Sequence, residues 1–255
     1  MAPDGGTPGT DPDRRPSRAV ALTRRAGRAA GRALLDPVPR DHRQSDTAFV
    51  RRRLVAAATL LVGATLLWLS LSARPGDRSF YLLTALLAAT WTIGGLASGP
   101  LHLGRIPFRG HLARPIGTPV AVGLLAAAVF VIGGLVIREV EVLRSLTDRV
   151  LDHARLGSLP LVVVLTLVNG LAEEIFFRGA LYAAIGRRRP VTVSTAIYTL
   201  ATLATGNPML VLAAALLGVV LGLQRRASGG ILAPVLTHVT WSTVMVFALP
   251  PLFAG

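Results

Sequence analysis

The chain has 255 residues and no cysteine. Disulfides, thiolate metal ligands and a cysteine nucleophile are therefore excluded. Lysine is missing too: all 27 basic residues are arginine, which reads as a compositional bias of the genome and not as a mechanism. Charge is scarce. Only 16% of residues are charged against 52% hydrophobic, a balance that points to a polytopic membrane protein. The first 49 residues contain no apolar core of the length a secretory signal requires. There is no HExxH, and His102, His111 and His153 fall in connecting segments on two sides of the expected membrane, without ligand spacing. The sequence thus makes no case for zinc or another metal, and it implies no cofactor.

What is there is a series of apolar segments. Met1 to Gln44 is rich in Pro, Gly, Asp and Arg, and its beginning is expected to be disordered. Within it, Arg18 to Leu35 has the spacing of a basic helix that either rests on anionic headgroups or is a solvated tail. Seven apolar stretches follow, at about 54–72, 80–97, 120–137, 159–185, 191–205, 209–223 and 231–249. Between the third and fourth, Arg138 to Leu156 intersperses Val142, Leu146, Val150 and Leu151 with four acids and four arginines, the pattern of an amphipathic helix at the interface. The expected fold is all-α: a polytopic membrane helix bundle of about seven transmembrane helices plus one interfacial helix. Its expected divisions are a tail over 1–50, a first helical half over 51–158 and a motif-bearing core over 159–255.

A formal charge of +14 would suggest a nucleic-acid partner in a soluble protein. Here topology accounts for it. With the N-terminus cytoplasmic, the tail carries twelve arginines, 98–119 and 187–189 three each, and 225–226 two, so that 20 of the 27 lie inside. Those outside are Arg74, Arg78 and four in the interfacial segment that are matched by its acids, and one, Arg178, lies within the membrane. The positive-inside rule then holds in every inner loop, and the expected location is the cell membrane, multi-pass, with the lipid bilayer as partner and no nucleic acid. Oligomeric state is not legible.

The chemistry-bearing stretch is Leu167 to Leu181, LVNGLAEEIFFRGAL, which puts two carboxylates and an arginine inside an apolar run of roughly 27 residues. Each charge at such depth costs at least ~2.5 kcal/mol on insertion scales, so it reads as functional by default. Glu174 and Arg178 are four apart with the acid N-terminal, the favourable order for an ion pair. Glu173 points about 100° away round the helix and is left available. Measured from the inner ends of their helices, Glu173 and Glu174 lie ~18–20 Å deep, Arg178 ~12 Å, His238 ~13 Å and Ser242 ~19 Å. Tyr198 and Thr202 lie ~10–17 Å deep. Three helices therefore bring polar residues to one layer. His238 and Ser242, four apart in THVTWS, share a face; Tyr198 and Thr202 belong to a generally polar helix, where hydrogen bonding between helices is the plainer role.

EEIFFRG, Glu173 to Gly179, resembles the EExxxR motif of the CPBP intramembrane proteases, the group of CAAX prenyl proteases and bacteriocin-processing proteins also called the abortive-infection family. THVTWS fits its third motif, HxxxN, and Tyr198 to Thr202 aligns with its second, FxxxH; the resemblance runs over roughly 159–249. It implies Glu173 as the base that activates a water, Glu174 and Arg178 as a supporting pair, and His238 as an oxyanion donor. Thr202 stands where the second-motif histidine belongs, and Ser242 replaces the asparagine. Threonine orients a water but does not take its proton near neutral pH.

Three functions are open at this stage. One is an intramembrane endopeptidase using glutamate-activated water on a peptide or membrane-protein substrate, weakened by the loss of the histidine. Another is a catalytically silent relative that binds or regulates a membrane partner, favoured by Thr202. The third is a proton-coupled transporter relaying through Glu173 and His238, against which stands the lack of any repeat or broken-helix signature.

Overall fold

A computed structural model describes residues 44–108 and 110–254. The expected basic helix over 18–35 lies outside the described residues. The described residues form eight helices of length, α1 (Asp46–Ser72), α2 (Arg78–Ala97), α3 (Gly117–Ile137), α4 (Glu141–Arg155), α5 (Leu159–Ile185), α6 (Pro190–Thr202), α7 (Pro208–Ser228) and α8 (Leu232–Leu252). A two-stranded antiparallel ribbon, β1 (Ile106–Phe108) with β2 (His111–Ala113), interrupts the loop before α3 and takes His111 out of a plain loop.

The fold is an all-α membrane bundle. Among the described residues, six helices are long and apolar enough to cross a bilayer: α1, α2, α3, α5, α7 and α8. The expected seventh, α6, is only 13 residues, about 20 Å, and ends in a 3₁₀ turn at Leu203–Thr205. Gly206, in the left-handed region at φ 64°, and Asn207 then reverse the chain, so α6 and α7 form a short hairpin. Its tip meets α4: Asn207, buried between exposed Gly206 and Pro208, caps α7 through Met209 N–H and Leu210 N–H and donates its own Nδ2 to the Leu146 carbonyl at 2.6 Å. The first span also starts earlier than its apolar run. Ser45 caps it, accepting from Ala48 N–H, and Arg51 to Arg53 lie within helix α1.

Lipid-facing surfaces are recognisable by what they leave uncovered. Leu61 on α1, Leu82 and Ile93 on α2, and Leu125 and Ile132 on α3 are more than three-fifths exposed, which water does not tolerate in rows but a bilayer does. Inside, small residues let helices approach. Gly63 faces the Trp91 ring, and a Cβ at Gly123 would meet the Thr237 carbonyl and Thr240 on α8. Trp91 stacks on Phe176 at 4.6 Å, joining α2 to the middle of α5.

The arginine-bearing loops gather at one end of the bundle. Arg53 Nε donates to the Ala184 carbonyl at 3.1 Å, Arg52 Nη2 to the Pro100 carbonyl at 3.2 Å, and Arg105 N–H to the Ser228 carbonyl. At the other end lies amphipathic α4, fixed by Asn207 and by Arg155, which pairs with Asp148 at 2.7 Å and donates to the Pro250 carbonyl of α8. His153 belongs to this helix, within the segment 138–156 that the sequence reads as interfacial.

Candidate active site

The site starts from an irregularity in α5. From Glu174 to Leu181 the helix widens into a π-helical segment, with i→i+5 bonding in place of i→i+4. The carbonyl of Arg178 accepts a hydrogen bond at 2.6 Å from Arg225 Nε on α7. Arg225 counts as an inner-loop charge in the sequence, yet it is buried in the last turn of α7, with its guanidinium over the Tyr182 ring at 5.0 Å. A second helix thus satisfies backbone that the wider turn leaves free, which is how irregular structure is accommodated at membrane depth.

Glu174 and Arg178 form the expected pair, Oε1 to Nη1 at 3.0 Å, both almost wholly buried. Arg178 also lies over the Tyr198 ring at 4.6 Å, and its Nη2 reaches the Gly218 carbonyl at 3.4 Å. A Cβ at Gly218 would crowd the Thr195 methyl at 3.1 Å, while meeting Tyr198 and Arg178 Nη2 at ordinary contact distance. His238 has a partner on α5. Its Nδ1 lies 2.9 Å from the same Glu174 oxygen that holds Arg178. That contact fixes the ring plane and leaves Nε2 without a protein partner among the described residues.

Glu173 turns away from the pair, as its angular position predicts, but it has a partner. Tyr198 donates its hydroxyl to Glu173 Oε2 at 2.6 Å. Thr202, one turn on, spends its hydroxyl proton on the Tyr198 carbonyl at 2.9 Å. Ser242 makes no hydrogen bond to the described residues and is buried one turn beyond His238.

All of these except Glu174 and Arg178 border one cavity of about 350 Å³, whose walls also include Leu87, Trp91, Leu165 and Phe177. Among the described residues Glu173 is the one acid on its wall, and no arginine lines it. The geometry thus divides the acids: Glu174 is locked behind the wall holding Arg178 and His238, while Glu173 faces the space. A carboxylate facing such a space is suited to taking a proton from a water, and the imidazole of His238 and the hydroxyl of Ser242 on the same wall to holding a developing oxyanion.

Asn169 was not legible as a site residue. It lies one turn before Glu173 and lines the cavity, with Nδ2 donating to the Thr84 and Leu165 carbonyls. Its signal was an amide in an apolar run, which sequence alone does not distinguish from a helix brace. Among the described residues, no three or more His, Asp or Glu side chains gather to hold a metal.

Residues 155–244 match the family model described as Rce1-like, Type II CAAX prenyl endopeptidase Rce1-like. That span contains Glu173, Glu174, Arg178, Tyr198, Thr202, His238 and Ser242. No curated protein and no solved structure matches the chain.

Proposed function

We propose, on the premise that the chain is a CAAX-protease-type membrane protein of the CPBP family, that it is an intramembrane endopeptidase with Glu173 as the general base. The observation that carries this reading is the division of labour between adjacent acids: Glu174 is engaged by two cationic or ionisable partners, and Glu173 faces a cavity. In the reaction Glu173 accepts a proton and an Nε2–H of His238 donates a hydrogen bond, the two roles needed at the same moment.

Hydrolysis then runs as follows. Glu173 takes a proton from a water, whose oxygen bonds to the peptide carbonyl carbon. Nε2–H of His238 and the Ser242 hydroxyl hold the carbonyl oxygen as it becomes an oxyanion. As the C–N bond breaks, the proton on Glu173 passes to the departing nitrogen, and a carboxyl group and an amine leave. Tyr198 keeps Glu173 aimed, and Glu174 with Arg178 keeps His238 aimed. Thr202 contributes shape but no proton acceptor, since its one proton is committed to its own helix. The arginine-rich loop ends support a cell-membrane location with that end cytoplasmic.

The test is purified protein in detergent with a library of quenched peptides, beside Glu173→Gln. Cleavage that disappears in the variant upholds the proposal. No cleavage by either protein overturns it and favours a silent relative, the reading that Thr202 supports.

A further inference from the structure

The two ends of the cavity are built differently. Toward the arginine-rich end of the bundle it stops at a floor of Trp91, Phe177, Leu217 and His238, each of them buried. Beyond this floor the π-helical segment and the turn after it are packed: Phe176, Arg178, Ala180, Leu181 and Ala184 are buried, as is Leu221 on neighbouring α7. Trp91 stacks on Phe176, and Phe177 lies against Tyr198 at 4.7 Å. From Glu173 to Ile185, on the order of 15 Å of packed protein separates the acid from that end. Among the described residues, the connecting segments there, 98–116, 186–189 and 229–231, supply no wall residue.

At the opposite end the walls are the ends of the spans themselves. Leu71 of α1, Thr205 beyond α6 and Pro250 of α8 line it, together with Val150 and Ala154 of α4, and all of these are only half-buried. Glu173, on the wall, is half-buried too, where the adjacent Ala172 and Glu174 are buried. Leu159, the first residue of α5, stands at this end, and Glu173 lies about 21 Å further in at 1.5 Å per residue. An extended chain covers that in roughly six or seven residues at about 3.3 Å each. Leu87, Val162 and Leu165 line the way, with Thr84, Thr166 and Asn169 as polar residues among them. A charged side chain lodged there would lose its hydration without gaining an ionic partner.

We infer that the substrate reaches Glu173 from the end of the bundle that carries α4. With the arginine-rich end cytoplasmic under the positive-inside rule, that is the extracytoplasmic side. The substrate is then an uncharged, largely apolar segment at the outer end of a membrane-anchored chain, and not a chain end presented in the cytoplasm. The inference rests on the reading of this cavity as a peptide site, but the side of access is independent of catalysis.

The experiment measures access first. The chain has no cysteine, so Thr166→Cys, Ala154→Cys and Arg188→Cys each carry a single thiol, the first two on the cavity wall and the third at the arginine-rich end. A charged maleimide that does not cross the bilayer is added to right-side-out and to inverted membrane vesicles. Cavity thiols that label at least about tenfold faster in right-side-out vesicles, with Arg188→Cys the reverse, support the inference. Cavity thiols that label from the same side as Arg188→Cys, from the cytoplasmic side, or from neither overturn it. Cleavage then reports separately. An apolar peptide whose acidic tag keeps it from crossing the bilayer is offered to both kinds of vesicle, beside Glu173→Gln. Cleavage in right-side-out vesicles alone, lost in the variant and at least about six residues from the tag, supports the inference. Cleavage in inverted vesicles, or nearer the tag, overturns it while leaving the protease reading intact. Outward labelling without cleavage in either kind of vesicle leaves the side of access standing and removes the protease reading.

Discussion

The Tyr198 hydroxyl donates to Glu173 Oε2 at 2.6 Å, across from α6 to α5. This bond joins the shortest helix of the core to the acid that faces the cavity. It gives a role to a residue that sequence reading placed among general helix-bracing polar groups. Being fixed by a single donor, Glu173 keeps its second oxygen for another partner.

Tyr198→Phe removes this hydrogen bond while keeping the ring that packs on Phe177 and Arg178. A hydrogen bond to a charged group contributes about 1.5–3 kcal/mol. The expected outcome is a fall in kcat of roughly 10- to 100-fold with little change in thermal stability, measured on quenched peptides and by melting in detergent.

Glu174→Gln and Arg178→Met act in a different way. Each leaves a buried charge without its partner, which costs about 3–5 kcal/mol, so both are expected to melt much earlier than wild type. Glu173→Gln, on the cavity wall, is expected to melt close to wild type while losing at least about 10²-fold in turnover. Equal melting points for all three would contradict the division between the acids.

Arg225→Leu takes away the donor to the Arg178 carbonyl within the π-helical segment. Destabilisation of about 1–3 kcal/mol is expected from the orphaned carbonyl. Hydrogen exchange faster in 174–181 than in α1 checks that the effect is local.

Thr202→His restores an imidazole on the cavity wall one turn from Tyr198. A rise in turnover of about tenfold or more is expected, because a base near neutrality aids proton transfer. An unchanged or lower rate shows that the remaining groups are not arranged to use it.

Much of this was written in one dimension. The apolar runs made a membrane bundle, because segments of that length have no other stable place for their side chains. The i, i+4 spacing of Glu174 and Arg178 foretold their pairing, since helical periodicity alone makes them neighbours. The angle between consecutive residues separated Glu173 from that pair for the same reason. Depth along each span brought α5, α6 and α8 to a common layer.

Partners across helices were a matter for the tertiary structure, because rotation of one helix about its axis against another leaves no mark in either sequence. That rotation gave His238 to Glu174, Tyr198 to Glu173 and Arg225 to the Arg178 carbonyl. The 3₁₀ turn and left-handed Gly206 that follow α6 leave it too short to span. The amino-acid order decided which groups enter the membrane and at what depth; packing decided which of them meet.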